Sequence, residues 1–135
     1  MAKRLIAISS PNGKVRKRTG GGAPRAKGNK AEALLLTQLT QQGYEVRRTH
    51  LSLFPDIIAW TDTDLLLIEV KSRSNNPRAI SQALSLFRAG VRAMRSVPNG
   101  ASMLCYVLSN GAWSAYQWSN GVTTQIEPIV SEARP

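Results

Sequence analysis

The sequence predicts a single α/β domain in which a central mixed β-sheet is flanked by helices. Three observations indicate this class. Apolar residues recur at helical spacing in two segments, 29–42 and 78–96. Short runs rich in β-branched and aliphatic residues lie between and after these segments, with turn-forming residues separating them. A chain of 135 residues with 42% hydrophobic content has the size of one domain with a modest core.

The charge balance indicates the kind of partner. Eighteen Lys and Arg against eight Asp and Glu give a formal charge of +10, which favours a polyanion, nucleic acid before membrane. No apolar run approaches the ~18–20 residues that cross a bilayer. The run Leu5–Ile8 is too short for the hydrophobic region of a signal peptide, so we expect an intracellular protein that does not bind a membrane. The lone Cys105 excludes a disulfide framework and a cysteine metal site.

Both ends of the chain differ from the body. Residues 1–28 hold eight basic residues, no acidic one and a run of three glycines. They predict a flexible basic arm that neutralises backbone phosphates, although a solubilising tail without a role is the alternative. The folded body is expected over residues 29–127. Residues 128–135 are expected to form a short disordered tail.

The first helix is expected from about Asn29 to Gln42, with Gly43 as its stop. Its apolar stripe consists of Leu35, Leu36 and Leu39. Glu32 lies three residues after Asn29, where a carboxylate can bond back to the helix start in a capping box. A strand over residues 44–49 and a loop over 50–54 are predicted to follow.

Residues 55–60 and 65–71 are two apolar runs that a polar segment, 61–64, separates. This composition predicts an antiparallel hairpin. If the turn is centred between Asp62 and Thr63, the numbers of paired residues sum to 125.

That register places Asp56 opposite Glu69, with Cβ atoms roughly 4.5–5.5 Å apart on one face. Lys71 emerges on the same face, because residues two apart along a strand share a face. Two carboxylates so close repel each other, and a divalent ion such as Mg²⁺, which takes oxygen ligands from one or two carboxylates, would compensate them. Lys71 would then lie beside a water that can attack a phosphate. An ordinary ion pair of Lys71 with either carboxylate is the alternative.

These residues carry a family resemblance. Pro55–Asp56 followed by Glu69–Val70–Lys71 resembles the signature of the PD-(D/E)xK nuclease superfamily. The context also matches, with an acid in a preceding helix, the Asp at a strand start and the Glu-x-Lys at the end of an apolar strand. From about Lys27 to Ser74 the chain is most similar to the small archaeal Holliday junction resolvases and their virus-encoded relatives.

The resemblance implies a restriction-endonuclease-like core and a metal-dependent DNA endonuclease, cellular or viral, that acts on branched DNA. By similarity, Asp56 and Glu69 would bind Mg²⁺, with Mn²⁺ as an alternative. Glu32 would be a third metal carboxylate, which competes with its capping interpretation, and Lys71 would serve the nucleophilic water. A homodimer is expected, since a four-way junction needs two symmetric cuts. Its interface is expected on exposed apolar surface of the last helix or the terminal strands.

Phosphate contacts are predicted at basic and hydroxyl side chains around these acids. They are Arg25, Lys27, Lys30, Arg47, Arg48, Ser52, Arg73, Arg88 and Arg92. Arg88 and Arg92 share a helix face with Arg95, and simple solvation of that face is the alternative. His50, the only histidine, and Gln82 have no assigned role.

The last third of the body predicts a strand over 102–108 and a terminal meander, 112–118 and 122–127, with turns at Asn-Gly dipeptides. Its aromatic residues are expected to pack rather than to stack on bases. Two other functions remain open. One is a nuclease of the same superfamily that acts on linear duplex or single-stranded DNA in restriction or repair. The other is a basic DNA-binding protein without catalysis, in which the carboxylates only balance Lys71.

Overall fold

The structure, a computed structural model, describes residues 22–51 and 53–133, with side chains in the first helix from Lys30 onward. Most of the predicted arm (residues 1–21), Ser52 and residues 134–135 lie outside the described residues. The elements in chain order are α1 Gly22–Gln41, β1 Glu45–Arg48, β2 Ile57–Trp60, β3 Leu65–Ser72, α2 Pro77–Arg92, β4 Ala101–Ser109, β5 Ala112–Ser119 and β6 Val122–Ile126.

The strands form one sheet of six in the order of the sequence. β3 and β4 are parallel and α2 connects them, whereas every other neighbouring pair is antiparallel. A parallel pair needs a crossover of this kind, while hairpins suffice elsewhere. The prediction of an α/β fold with a mixed sheet flanked by helices is confirmed.

Each helix covers one face of the sheet. α1 contributes Leu35 and Leu39 to a core with alternate residues of β3, including Ile68. α2 contributes Phe87 and Val91 to a second core with the intervening β3 residue Leu67. This alternation follows from the period of two along a strand. It puts Glu69 and Lys71 on the side of the sheet that α2 covers.

The predicted hairpin is confirmed with its register. Ile57 pairs with Ile68 and Trp60 with Leu65, so the paired numbers sum to 125. Asp56 lies directly before β2, where its carboxylate interacts electrostatically with Glu69.

The helix boundaries differ from those expected. α1 begins at Gly22, ahead of Asn29, because Pro24 in the first turn lacks an N–H that would have no helical partner there anyway. Glu32 is therefore far inside α1, and the capping-box interpretation is wrong. α2 begins at Pro77 behind the cap Asn76, whose Oδ1 accepts a hydrogen bond from the Ala79 N–H at 2.8 Å. It ends at Arg92, so Arg95 lies beyond it and does not continue the helix face.

The expected disordered tail is wrong for residues 128–133. The Ile129 N–H donates to Tyr106 Oη at 2.8 Å, and the Trp113 N–H donates to the Ser131 carbonyl at 2.7 Å. Ile129, Val130 and Ala133 pack on the core under α1. This segment is ordered by apolar contacts with distant residues, which its own short sequence does not indicate.

The terminal meander is confirmed. Each Asn-Gly turn has two residues with positive φ, as a two-residue hairpin turn requires. The angles are 51° and 74° at Asn110 and Gly111, and 50° and 85° at Asn120 and Gly121. Trp113 is buried and packs edge-on against Tyr106, with ring centroids 5.8 Å apart, which confirms its packing role. Among the described residues, no helix combines the length and apolarity needed to cross a bilayer.

Candidate active site

Asp56 lies directly before β2 and is held there by three hydrogen bonds. Its Oδ2 accepts a hydrogen bond from the Val70 N–H of β3 at 2.9 Å. Its own N–H donates to the Ile68 carbonyl at 2.8 Å, and its carbonyl accepts from the Thr49 N–H at 3.0 Å. Hydrogen bonds from both sides therefore fix the position of this residue. The carboxylate, and not a backbone carbonyl, accepts the hydrogen bond of the Val70 N–H.

Glu69 and Lys71 are adjacent on the same face of β3. Lys71 Nζ lies 2.9 Å from Glu69 Oε2, and the two side chains are only 18% and 11% exposed. Such a shielded pair is stronger than an exposed one but costs more desolvation. The ammonium compensates one carboxylate, and Asp56 adds a second negative charge beside it.

The electrostatics of Asp56 reflect this excess of negative charge. Burial raises the pKa of its carboxyl from 3.8 to about 7, and the charge of Glu69 adds to the shift. The Val70 hydrogen bond, and more weakly Lys71, act in the opposite direction. The cluster therefore needs either a proton or a further cation near neutral pH.

Glu32 lies at the margin of this cluster. Burial raises the pKa of its carboxyl, the charges of Arg48 and His50 lower it, and Glu69 raises it again. Its Oε1 lies 3.4 Å from Arg48 Nε. The structure thus brings Glu32 within electrostatic range of Asp56 and Glu69 while pairing it with an arginine.

The donor set suits a hard divalent ion. Asp56 and Glu69 offer carboxylate oxygens only, their mutual repulsion calls for positive charge, and ions such as Mg²⁺ bind through one or two carboxylates and keep several waters. Within residues 22–51 and 53–133, no three His, Cys, Asp or Glu side chains are spaced to hold one ion. Asp56 and Glu69 are accordingly the pair that would hold it.

Cys105 lies next to Glu69 in the parallel register of β3 and β4. It is fully buried, and that burial raises the pKa of its thiol to about 12. A thiol that stays protonated is neither a nucleophile nor a metal ligand. The predicted role of Cys105 as a small buried residue is confirmed.

Comparison with known proteins identifies the family of this chain. The family model of the archaeal Holliday junction resolvases (Hjc) matches residues 23–101, more than half of the chain. The chain belongs to this resolvase family. Its function is that of a Holliday junction resolvase-like nuclease, and its substrate is DNA. The PD-(D/E)xK resemblance is confirmed.

Among solved structures, the resolvase is similar to Hjc from the archaeal hyperthermophile Archaeoglobus fulgidus, described as a Holliday junction resolvase. The identity is 22%, the TM-score is 0.46, and the match covers 75% of this chain and 84% of that one. No curated protein matches the chain.

The predicted phosphate contacts lie in several places. Lys30 is exposed on α1, while Arg25 and Lys27 lie in its first turns with side chains outside the described part. Arg47 is exposed and its guanidinium lies 5.8 Å from the centre of the Trp60 ring. Arg73 follows β3 directly and donates to the Ser72 carbonyl at 3.0 Å.

Arg88 and Arg92 connect α2 to the terminal strands. The Arg92 guanidinium lies 5.3 Å from the centre of the Trp118 ring, a cation–π contact. Arg88 donates to Thr123 Oγ1 at 3.4 Å and to Ser85 Oγ at 3.3 Å. These arginines therefore have structural contacts in addition to any contact with DNA. Gln82, which has no assigned role, is exposed on α2 and lines a shallow cleft with Arg73.

Two features of the site are missing from the sequence-based prediction. Arg48 is predicted there only as a phosphate contact, although its partner is Glu32. The hydrogen bond from the Val70 N–H to Asp56 was also not predicted. The sequence pattern indicates only that the Val70 side chain packs in the α1 core, and it says nothing about the backbone N–H. The contact of Arg48 with Glu32 had one signal in the sequence. Arg48 lies two residues after Val46 on β1, so both face the side of the sheet that α1 covers.

Proposed function

We propose that this chain is a Mg²⁺-dependent homodimeric resolvase that cuts four-way DNA junctions through Asp56, Glu69 and Lys71. The observation that carries this proposal is the shielded cluster of two carboxylates and one ammonium at the end of the hairpin. Burial first, and then the charge of Glu69, raise the pKa of Asp56 to about 7, and a divalent cation would stabilise the ionised carboxylate in this environment. Mn²⁺ is a suitable substitute, because it also prefers oxygen ligands.

Each side chain has a definite part in the reaction. Asp56 and Glu69 bind the cation, and the Val70 N–H holds the Asp56 carboxylate in place. A bound divalent ion supplies an activated water and stabilises the charge that develops on the phosphate. Lys71, 2.9 Å from Glu69, orients the attacking water through its ammonium hydrogens. Glu32 supports the cluster from α1.

The DNA is proposed to approach the end of the hairpin that carries Asp56, Glu69 and Lys71, where α1, β1 and α2 all contribute basic side chains. Between Glu69 and Glu127 the sequence has no acidic residue, while six basic residues occur from Lys71 to Arg95. Arg73 is the nearest of these to the site after Lys71, and Arg88 and Arg92 continue the basic surface along α2. Arg25, Lys27, Lys30, Arg47, Arg48 and Ser52 are the further proposed contacts to the backbone. Such contacts give affinity and position without reading sequence.

A homodimer would supply the two symmetric cuts. Leu86 on α2 and Val122 on β6 are 53% and 60% exposed, on the elements where the interface is expected. We expect a dimer at micromolar concentration by light scattering, and we expect Leu86→Glu to shift it toward monomer if α2 forms the contact. A wild-type monomer under these conditions would contradict the dimer.

The decisive experiment is cleavage of a labelled four-way junction beside linear duplex and single-stranded controls, with Mg²⁺ or with EDTA. The variants are Asp56→Asn and, as a matched control, Asp62→Asn, which makes the same change in the exposed hairpin turn. We expect symmetric, metal-dependent cuts that persist in the control and disappear with Asp56→Asn.

Other outcomes of that experiment distinguish the alternatives. Preferential cutting of linear DNA would retain the metal site and replace the junction by a restriction or repair substrate. Binding without cutting under any divalent metal would contradict catalysis and leave a DNA-binding protein.

A further inference from the structure

The ion pair between Glu32 and Arg48 sits where α1 meets the last residue of β1. Glu32 Oε1 lies 3.4 Å from Arg48 Nε, and the two side chains are 22% and 29% exposed. Glu32 also interacts electrostatically with Glu69 and with Asp56. The arginine therefore compensates the carboxylate that lies at the margin of the proposed cation site.

A guanidinium binds a phosphate with the same fork of donors that it offers to a carboxylate. Arg48 Nε itself is buried, but 29% of the Arg48 side chain is exposed, so the side chain remains accessible to another anion. DNA presents such anions at high density, and the net charge of +10 concentrates them at this protein. Arg48 can therefore change partner when DNA binds, and Glu32 then loses the stronger of the two cationic influences on it, the weaker being His50.

We propose that Arg48 couples DNA binding to cation binding by exchanging Glu32 for a backbone phosphate, which releases the Glu32 carboxylate to the cation held by Asp56 and Glu69. This inference rests on the proposed function. It makes Arg48 a positioning residue. The cation site would then have all three carboxylates only when DNA is bound. By linkage, DNA strengthens cation binding and the cation strengthens DNA binding by the same factor.

Arg47 provides a matched control for the charge of Arg48. It is the preceding residue of the same strand and points to the opposite face. Its Nη1 lies 3.9 Å from Glu45 Oε1, so its ionic partner is not part of the carboxylate cluster. Arg47→Ala and Arg48→Ala therefore remove the same charge from the same strand, and only the second removes the partner of Glu32.

The test is the affinity of the full chain for Ca²⁺, measured by titration calorimetry with and without a four-way junction that is checked for integrity afterwards. We expect Arg48→Ala to bind Ca²⁺ about tenfold more tightly than Arg47→Ala in the absence of DNA. The junction should then raise the Ca²⁺ affinity less in Arg48→Ala than in Arg47→Ala, because Glu32 has already been released.

Removal of a positive charge also strengthens cation binding through space, and a double-mutant cycle separates that effect. In a Glu32→Gln background, Arg48→Ala should give no more than about a twofold gain, since no carboxylate remains to be released. Thermal unfolding establishes that each variant folds. Arg48→Met, which retains an unbranched stem, repeats the measurement if Arg48→Ala does not fold.

Equal Ca²⁺ affinity of Arg48→Ala and Arg47→Ala, or an undiminished gain in the Glu32→Gln background, would overturn the exchange. If the wild type cuts junctions with Mg²⁺ and binds Ca²⁺ while these variants are equal, the inference alone fails. If the wild type binds no divalent cation and cuts no DNA, the proposed function fails and the inference falls with it.

Discussion

Gln38 and Glu69 are the two polar side chains that are buried in the part of the chain that the structure describes, with exposures of 6% and 9%. Gln38 lies under α1, where its Nε2 donates to the Glu132 carbonyl at 2.7 Å and its Oε1 accepts from Trp113 Nε1 at 2.8 Å. Glu69 lies on the other face of the sheet, paired with Lys71 and next to Asp56.

The two burials have different physical characters. The Gln38 amide is neutral, and both its donor and its acceptor are matched by partners, as buried polar groups normally are. The Glu69 cluster carries two carboxylates against one ammonium, and burial alone would not favour such an arrangement. The hydrogen-bonded amide of Gln38 orders the tail. The unbalanced charge of the Glu69 cluster indicates a binding site for a further cation.

The largest expected effect comes from making Glu69 neutral, as Gln38 is. Glu69→Gln removes one of the two carboxylates that hold the cation, so junction cleavage should fall at least about a hundredfold. Metal-free stability in urea should change by less than about 1 kcal/mol, because the repulsion with Asp56 disappears together with the Lys71 pair. Undiminished cleavage would contradict the assignment of Glu69 as a ligand.

The reciprocal change makes Gln38 charged. In Gln38→Glu the new carboxylate has no hydrogen to donate to the Glu132 carbonyl and is shielded from water, so unfolding in urea should show a loss of about 3 kcal/mol or more. Gln38→Leu, which removes the partner of both Trp113 Nε1–H and the Glu132 carbonyl but introduces no charge, should lose about 1–3 kcal/mol. A smaller loss for Gln38→Glu than for Gln38→Leu would show that this region accepts charge as the Glu69 region does.

The smallest effect is a pH dependence of the metal-free protein. Burial and Glu69 raise the pKa of Asp56 from 3.8 to about 7, so between these values the folded protein retains a proton that the unfolded chain releases. Stability should therefore fall as pH rises from about 4 to about 7, on the order of 2 kcal/mol after allowance for partial exposure.

Denaturant unfolding in EDTA across this pH range measures that dependence. Asp56→Asn should abolish the fall, and millimolar Mg²⁺ should oppose it, because the ion supplies the missing positive charge. A wild-type curve in EDTA that is flat or rises with pH would contradict the unbalanced charge at this cluster.

The hairpin shows how far local reasoning reached. The period of two along a strand and the centre of a four-residue turn are local properties, and together they predicted the register that pairs β2 with β3 and brings Asp56 near Glu69. The Asn-Gly turns and the core face of α2 were predictable for the same reason. The site residues Asp56, Glu69 and Lys71 follow from this register, and their catalytic roles stay predictions until the variants are measured.

The sequence by itself determined the alternating strands, the helical apolar stripes, the basic charge and the motif that the hairpin carries, since these depend on residues close in the chain. Tertiary structure alone decided the ordered tail, the burial of Gln38 and the partner of Glu32. Gln38 meets Glu132 across 94 residues and Trp113 across 75. No periodicity specifies such contacts, because their free energy depends on which surfaces the packed sheet and helices bring together.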